Sequence, residues 1–298
     1  MDDISGKART YVIDPESAAE MARLMQQDRL VTQSLGGIFL APVDVDRVDD
    51  VLDVGCGPGG WALQVAHTHR DINVVGIDIS QKMITYASTQ AQVQCLDNAH
   101  FYVMDATQPL HFPSRRFDLI NMRLGSTFMT PSVWPSFLQE CRRLLRTGGI
   151  LCITDMEWGF SNKAAFERYI ALFHTALQKA GQSFSPNGLH LGLLPVLRHL
   201  LQDASLEQVE QTANVIDLSS GTEAHEGYFR DLFSAFHLLE PFIMKWCSAE
   251  REEIDHICEQ ALLEMQQDDF CSIAFFLTVW GFKRGNHQSN RSIKKLRL

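Results

Sequence analysis

The sequence predicts a doubly wound α/β fold built on a mostly parallel sheet. Three observations predict it. From residue 51 onward, short apolar runs alternate with stretches of helical periodicity; the first apolar run passes into a glycine-rich turn; and Asp78 and Asp105 close the second and third runs. With 298 residues, 45% of them hydrophobic and 21% charged, the chain has the composition of a folded enzyme with one large core.

Taken in order, Asp14-Pro15 reads as a helix start, since Asp caps and Pro fits the first turn, and Met21, Leu24 and Met25 follow at helical spacing. The strand and helix series then runs as strand 51–54, helix from Trp61, strand 73–78, helix from Ser80, strand 101–105 and strand 117–122. A helix carrying Phe137, Leu138, Cys141, Leu144 and Leu145 is expected to stop at Gly148-Gly149, ahead of a fifth strand at 150–155. Phe166, Tyr169, Ile170, Phe173 and Leu177 mark the next helix; a loop with Ser185-Pro186-Asn187-Gly188, a helix over 193–201 and an alternating strand at 209–218 follow.

The last strand is placed at 273–280. The stretch before it exceeds what a minimal sheet needs, and it carries two helical stripes. One holds Phe229, Leu232, Phe233 and Phe236; the other holds Ile254, Ile257, Cys258, Ala261 and Met265, after Ser248 and the acidic Glu250, Glu252 and Glu253. The chain thus divides into an N-terminal helical cover at 1–48, a core at 49–220 and 269–284, an inserted helical cap at 221–268 and a flexible tail at 285–298.

Lys and Arg total 26 against 36 for Asp and Glu, a net charge of -10, which offers no global positive field to a nucleic acid. The opening residues lack a basic segment followed by an apolar run, and no stretch reaches membrane-spanning length, so a cytoplasmic protein is expected. Seven cysteines stand singly, as free thiols. Asp255, His256 and Glu259 form no ligand set with credible spacing, and no metal is expected.

The strongest local signal is Val51-Leu52-Asp53-Val54-Gly55-Cys56-Gly57-Pro58-Gly59-Gly60, a strand running into a turn that opens a helix. Glycines let the backbone approach a ligand, and helix-start N–H groups favour its anionic end. The spacing Gly55-x-Gly57-x-x-Gly60 alone fits a dinucleotide as well as S-adenosylmethionine, and Asp78 suits the ribose of either. Asp53 shifts the balance, because a carboxylate inside the strand can steady the loop and receive an ammonium group.

Over roughly 51–283 the sequence resembles the class I S-adenosylmethionine-dependent methyltransferases, with Leu52 to Gly59 as the close match and Trp280-Gly281-Phe282-Lys283 like their closing strand. The resemblance implies a Rossmann-like methyltransferase fold with seven strands, the last antiparallel beside the fifth. It places S-adenosyl-L-methionine on Asp53, Gly55, Cys56, Gly57 and Gly59, on Asp78, Ile79 and Met83, on Asp105 and Ala106, and on Asn121 and Met122. Asp78 would bind the ribose and Asp105 the adenine. Tyr11 and Gln33 match positions where related small-molecule enzymes cover the cofactor.

The expected reaction is methyl transfer to the hydroxyl, amine or activated carbon of a small organic acceptor of natural-product or quinone type. His190, His225 and His237 are candidate bases in segments expected to overhang the sheet, with His190 and His225 preferred; Asp155 and Glu157 are the alternatives. Trp158, Phe160, Phe128, Met129 and the Phe229, Phe233, Phe236 stripe are candidate acceptor-pocket residues, the stripe suiting core packing better. Asn121-Met122-Arg123 lacks the motifs of base-methylating and magnesium-dependent catechol enzymes, so nucleic acid is not an expected partner; no membrane partner is expected either, and a monomer or homodimer is expected. A nicotinamide-dependent oxidoreductase and a non-catalytic binding protein of the same fold are the competing readings.

Overall fold

A computed structural model describes residues 11–284. The N-terminal ten residues and the proposed tail lie outside the described residues. The sheet has seven strands in the order β3-β2-β1-β4-β5-β7-β6. Its centre is β1 (Asp50–Val54), buried along its whole length and parallel to β2 (Asn73–Asp78) on one side and β4 (Phe117–Arg123) on the other. Beyond β2 lies β3 (Ala99–Val103), and beyond β4 lies β5 (Leu145–Ser161), both parallel to their neighbours.

Because side chains alternate across a strand, successive residues of β1 feed opposite layers. Val51 and Leu119 join α2 (Gly60–Thr68) and α3 (Gln81–Val93) around Trp61. Leu52 and Ile120 join α4 (Trp134–Leu144) and α6 (Leu194–Asp203) around Trp134. Covering both faces makes the central strands read as continuous apolar runs in the sequence.

The other edge is antiparallel. β7 (Ser272–Lys283) pairs with β5 over Ile150 to Ser161, and β6 (Leu206–Asp217) pairs with β7 along its length. The second half of β5 runs on past the ends of the parallel strands, and the matching parts of β7 and β6 accompany it. On this extension α5 (Ala164–Lys179), α7 (His225–Cys247) and α8 (Arg251–Met265) close a third core around Tyr169 and Phe236. Helix α1 (Ala18–Ser34) packs against α7 and, through Val31, joins a small cluster with Ile216, Ala274 and Phe276.

Several boundaries differ from the sequence expectation. Helix α1 starts at Ala18, because the Ser17 hydroxyl accepts from the Glu20 amide, while the Asp14 carboxylate receives the Glu16 amide in a preceding turn. Strand β3 spans 99–103, so Asp105 lies in the loop after it. Helix α4 ends at Leu144, ahead of Gly148-Gly149, and β5 begins at Leu145 with a register irregularity where Gly148 takes φ +81°. Helix α8 begins after Glu250; Ser248 instead closes α7 in a left-handed conformation.

Candidate functional site

Strand order reverses between β1 and β4, and the crevice of a doubly wound sheet opens at such a reversal, outside the strands' carboxyl ends. Here the extension of β5 and the helices α1 and α7 roof that crevice and turn it into a cleft of about 1660 Å³, its open mouth included. One end is walled by the β1–α2 turn and the residues following β2 and β3. The other reaches beneath Trp158, Phe173, Ala235 and Leu239.

At the first end the turn needs its glycines. Gly55 and Gly57 have φ of +66° and +53°, and a Cβ on Gly55 would stand 3.0 Å from the Phe128 ring. Asp78 fixes the turn: its carboxylate receives the Gly57 amide at 2.9 Å and the Ser80 amide at 2.9 Å. Asp105 receives the Thr107 amide and hydroxyl on one oxygen, and Asp105, Ala106 and Thr107 all border the cleft.

Beneath the turn Asp53 is 4% exposed and accepts a 2.8 Å hydrogen bond from the Asn121 amide group. Burial pushes its carboxyl up to about 7, the nearby Asp78 adds to the shift, and the Asn121 bond opposes it. A buried carboxylate so short of positive charge is a receptor for a cation. This is the electrostatic signature of the site.

Helix α1 supplies a wall that its sequence did not announce. Arg23, Leu24, Gln27, Asp28 and Val31 face the cleft. The Arg23 guanidinium donates two bonds to Glu20, at 2.7 and 2.6 Å, and one at 2.9 Å to Asp231 of α7. Tyr11 donates to Glu20 at 2.5 Å, and Gln27 donates to the other Asp231 oxygen. Further along, Asp28 pairs with Arg123 from the end of β4, whose guanidinium also donates to Thr32.

Of the residues singled out from the sequence, Tyr11, Asp53, Gly55, Cys56, Gly57, Asp78, Ile79, Met83, Asp105 and Ala106 line the cleft together. Four others do not. Gln33 is exposed on α1, off the face that carries Arg23, Gln27 and Val31. Gly59 caps α2 behind the turn, Asn121 lies under Asp53, and Met122 is fully buried in the core against Gly125.

The preferred bases also lie elsewhere. His190 is exposed in the loop before α6, 4.0 Å from Glu157, and His225 at the start of α7 packs against Phe270 with Nδ1 donating to the Leu218 carbonyl. His237 is exposed on α7. Among the described residues, no histidine lines the cleft. The two alternative acids are tied up by backbone: Asp155, fully buried, receives the Ser126 amide and hydroxyl, and Glu157 receives the Leu191 and Gly192 amides. Among the acceptor-pocket candidates, Phe128 and Trp158 border the cleft, whereas Met129 and Phe236 are core and Phe160, Phe229 and Phe233 do not line it.

Residues 51–149 match the model of a family described as a methyltransferase domain. The chain is 28% identical over 154 residues to the methyltransferase str2 of Strobilurus tenacellus, covering 52% of each protein. It is 30% identical over 136 residues to the 27-O-demethylrifamycin SV methyltransferase of Amycolatopsis mediterranei, covering 46% of this chain and 47% of that one. The chain thus spans about half the length of these curated relatives. A solved structure of phosphoethanolamine N-methyltransferase 2 from Haemonchus contortus, in complex with S-adenosyl-L-methionine, is similar with a TM-score of 0.47 and 16% identity, over 90% of this chain and 60% of that one.

Proposed function

We propose that the chain is a class I S-adenosylmethionine-dependent methyltransferase that transfers a methyl group to a small, largely apolar organic acceptor held in the same cleft as the donor. The carrying observation is that one cleft joins a glycine turn with three carboxylates at its edge to an apolar end under Trp158, Phe173 and Leu239. The donor set fits the group. Asp53 is a buried carboxylate lacking a cationic partner among the bonds above, suited to the amino-acid ammonium, and Gly55 and Gly57 give the turn the positive φ that brings its backbone to the cleft.

In this reading Asp78 accepts from the ribose hydroxyls with the lone pairs that Gly57 and Ser80 leave free, and Asp105 with Thr107 borders the adenine. When bound, S-adenosylmethionine supplies a methyl group already activated as part of a sulfonium. The roof made by α1 and α7 excludes water, and the acceptor's nucleophile is aligned by shape, so positioning and desolvation carry the rate. With no histidine among the described residues on the cleft, the acceptors best served have a nucleophile that needs no strong base, such as an amine or a carboxylate. The natural-product activity named for the rifamycin-modifying relative is in keeping with an apolar acceptor.

The test is calorimetry of the full chain with S-adenosylmethionine and S-adenosylhomocysteine, followed by single-turnover mass spectrometry against a panel of amines, acids and phenols. Micromolar binding and a mass gain of one methyl on a panel member are expected. Absence of heat with both nucleosides would end the reading.

A pH dependence accompanies it. Asp53 (about 7) and Asp155 (about 6) both have folded-state pKa values raised by burial above the usual carboxyl range. Their stabilising contribution is therefore complete below about pH 4 and is lost as pH rises through 6 and 7. The ligand-free protein should lose thermal stability between pH 5 and 8. The ammonium group of a bound nucleoside favours ionised Asp53, so affinity for S-adenosylhomocysteine should fall roughly tenfold per pH unit below 7. Thermal unfolding with and without that nucleoside at pH 5.5 and 8 checks both, and a ligand-induced shift that is larger at the lower pH would contradict the assignment.

A further inference from the structure

Away from the cleft, the cap brings together side chains that the methyl-transfer reading leaves unused. Helices α7 and α8 are joined by the turn at 248–250, which folds them onto each other. On α7, His237 and Glu240 stand three residues apart and so share a face; on α8, Asp255 and Cys258 do the same. The ligating atoms of His237, Glu240 and Cys258 all lie within 4.8 Å of one another. Asp255 is within hydrogen-bonding reach of Glu240, and so is the Cys258 thiol.

We propose that His237, Glu240 and Cys258 bind a zinc-type divalent ion, with Asp255 as the fourth ligand, and that this ion pins α7 to α8. One nitrogen, one sulfur and two carboxylate oxygens make a tetrahedral donor set of the kind zinc accepts. Bond lengths of ~2.0–2.3 Å around zinc bring ligand atoms to roughly 3.3–3.8 Å from one another, and the atoms of His237, Glu240 and Cys258 already lie within 4.8 Å. The histidine is already oriented: its Nδ1 donates to the Phe233 carbonyl at 2.7 Å, which fixes the neutral tautomer and leaves Nε2 as the lone-pair donor.

The position suits a structural ion. His237 is exposed and gives entry from solvent, while Cys258 is 1% exposed at the inner end of the site. None of the four residues lines the cleft, but the same helix turns Ala235 and Leu239 into it. Fixing α7 against α8 therefore fixes the roof over the acceptor end. The set has no sequence signature, because its members come two from each helix, at spacings that no single motif joins.

Cobalt(II) is the probe, added to the full chain with the exposed cysteines removed by Cys95→Ser and Cys271→Ser. One equivalent should bind, with a thiolate-to-cobalt charge-transfer band, and zinc should displace it and raise the unfolding temperature. Cys258→Ser should abolish the band, and His237→Ala should weaken binding roughly tenfold or more. Because His237 is exposed, its replacement tests the site even if Cys258→Ser fails to fold. S-adenosylhomocysteine affinity should stay unchanged in His237→Ala, separating this site from the cleft. No stoichiometric cobalt binding, or a band that survives Cys258→Ser, overturns the proposal.

Discussion

Asp78→Ala is expected to raise the dissociation constant for S-adenosylhomocysteine by roughly 100-fold while leaving the ligand-free protein folded. Two losses add. The carboxylate would no longer accept from the ribose, and charge-assisted hydrogen bonds of this kind contribute about 1.5–3 kcal/mol each. It would also release the Gly57 and Ser80 amides that it now holds at 2.9 Å each, so the turn would lose its anchor. A total near 3 kcal/mol corresponds to about two decades in affinity. The folded state should tolerate the change because burial already holds the Asp78 carboxyl above its ordinary pKa, so its charge is not a stabilising feature without a ligand. Calorimetry measures the affinity and thermal unfolding the stability; an unchanged dissociation constant in a folded variant would remove Asp78 from the site.

The legible part of this molecule is local. The run from Val51 to Gly60 joins a buried strand, a turn with left-handed glycines and a helix start within ten residues, so pattern and turn chemistry agree without help from the rest of the chain. Asp78 and Asp105 follow from the same logic, since strand ends in this fold meet the ligand. Legibility fails where helical phase decides. The cleft face of α1 recurs at 23, 24, 27, 28 and 31, a stripe that excludes Gln33, yet α1 has mixed polarity on several faces and its sequence does not say which one turns inward.

Long-range pairing was equally hidden. His190 and His225 were expected at the cleft because their segments connect strand and helix near the carboxyl edge, but the extension of β5, β6 and β7 carries both segments outward. Asp155 and Glu157, which sit at the right height on β5, are instead engaged by Ser126 and by the loop at 191–192. Arg23 and Asp231 are 208 residues apart, and neither has a local signal that calls for the other.

That pair underlies the largest stability effect expected in the molecule. Arg23 is 7% exposed, and its three hydrogen bonds supply the positive charge that faces Glu20, fully buried, and Asp231, 4% exposed. Arg23→Met supplies an aliphatic stem but no guanidinium and strands two carboxylates in a dry cluster, and removing one partner of a buried ionic network costs about 3–5 kcal/mol. For a chain of this size the unfolding temperature should fall by about 10 °C. Adding Glu20→Gln and Asp231→Asn should recover most of that loss, because the neutral amides can bond to one another, to Tyr11 and to Gln27. The cluster ties residue 11, α1 and α7 together over the cleft, so Arg23→Met should also loosen nucleoside binding more than a matched surface replacement does. A single variant as stable as the parent, or a triple variant no more stable than the single one, would show that this network does not hold the roof in place.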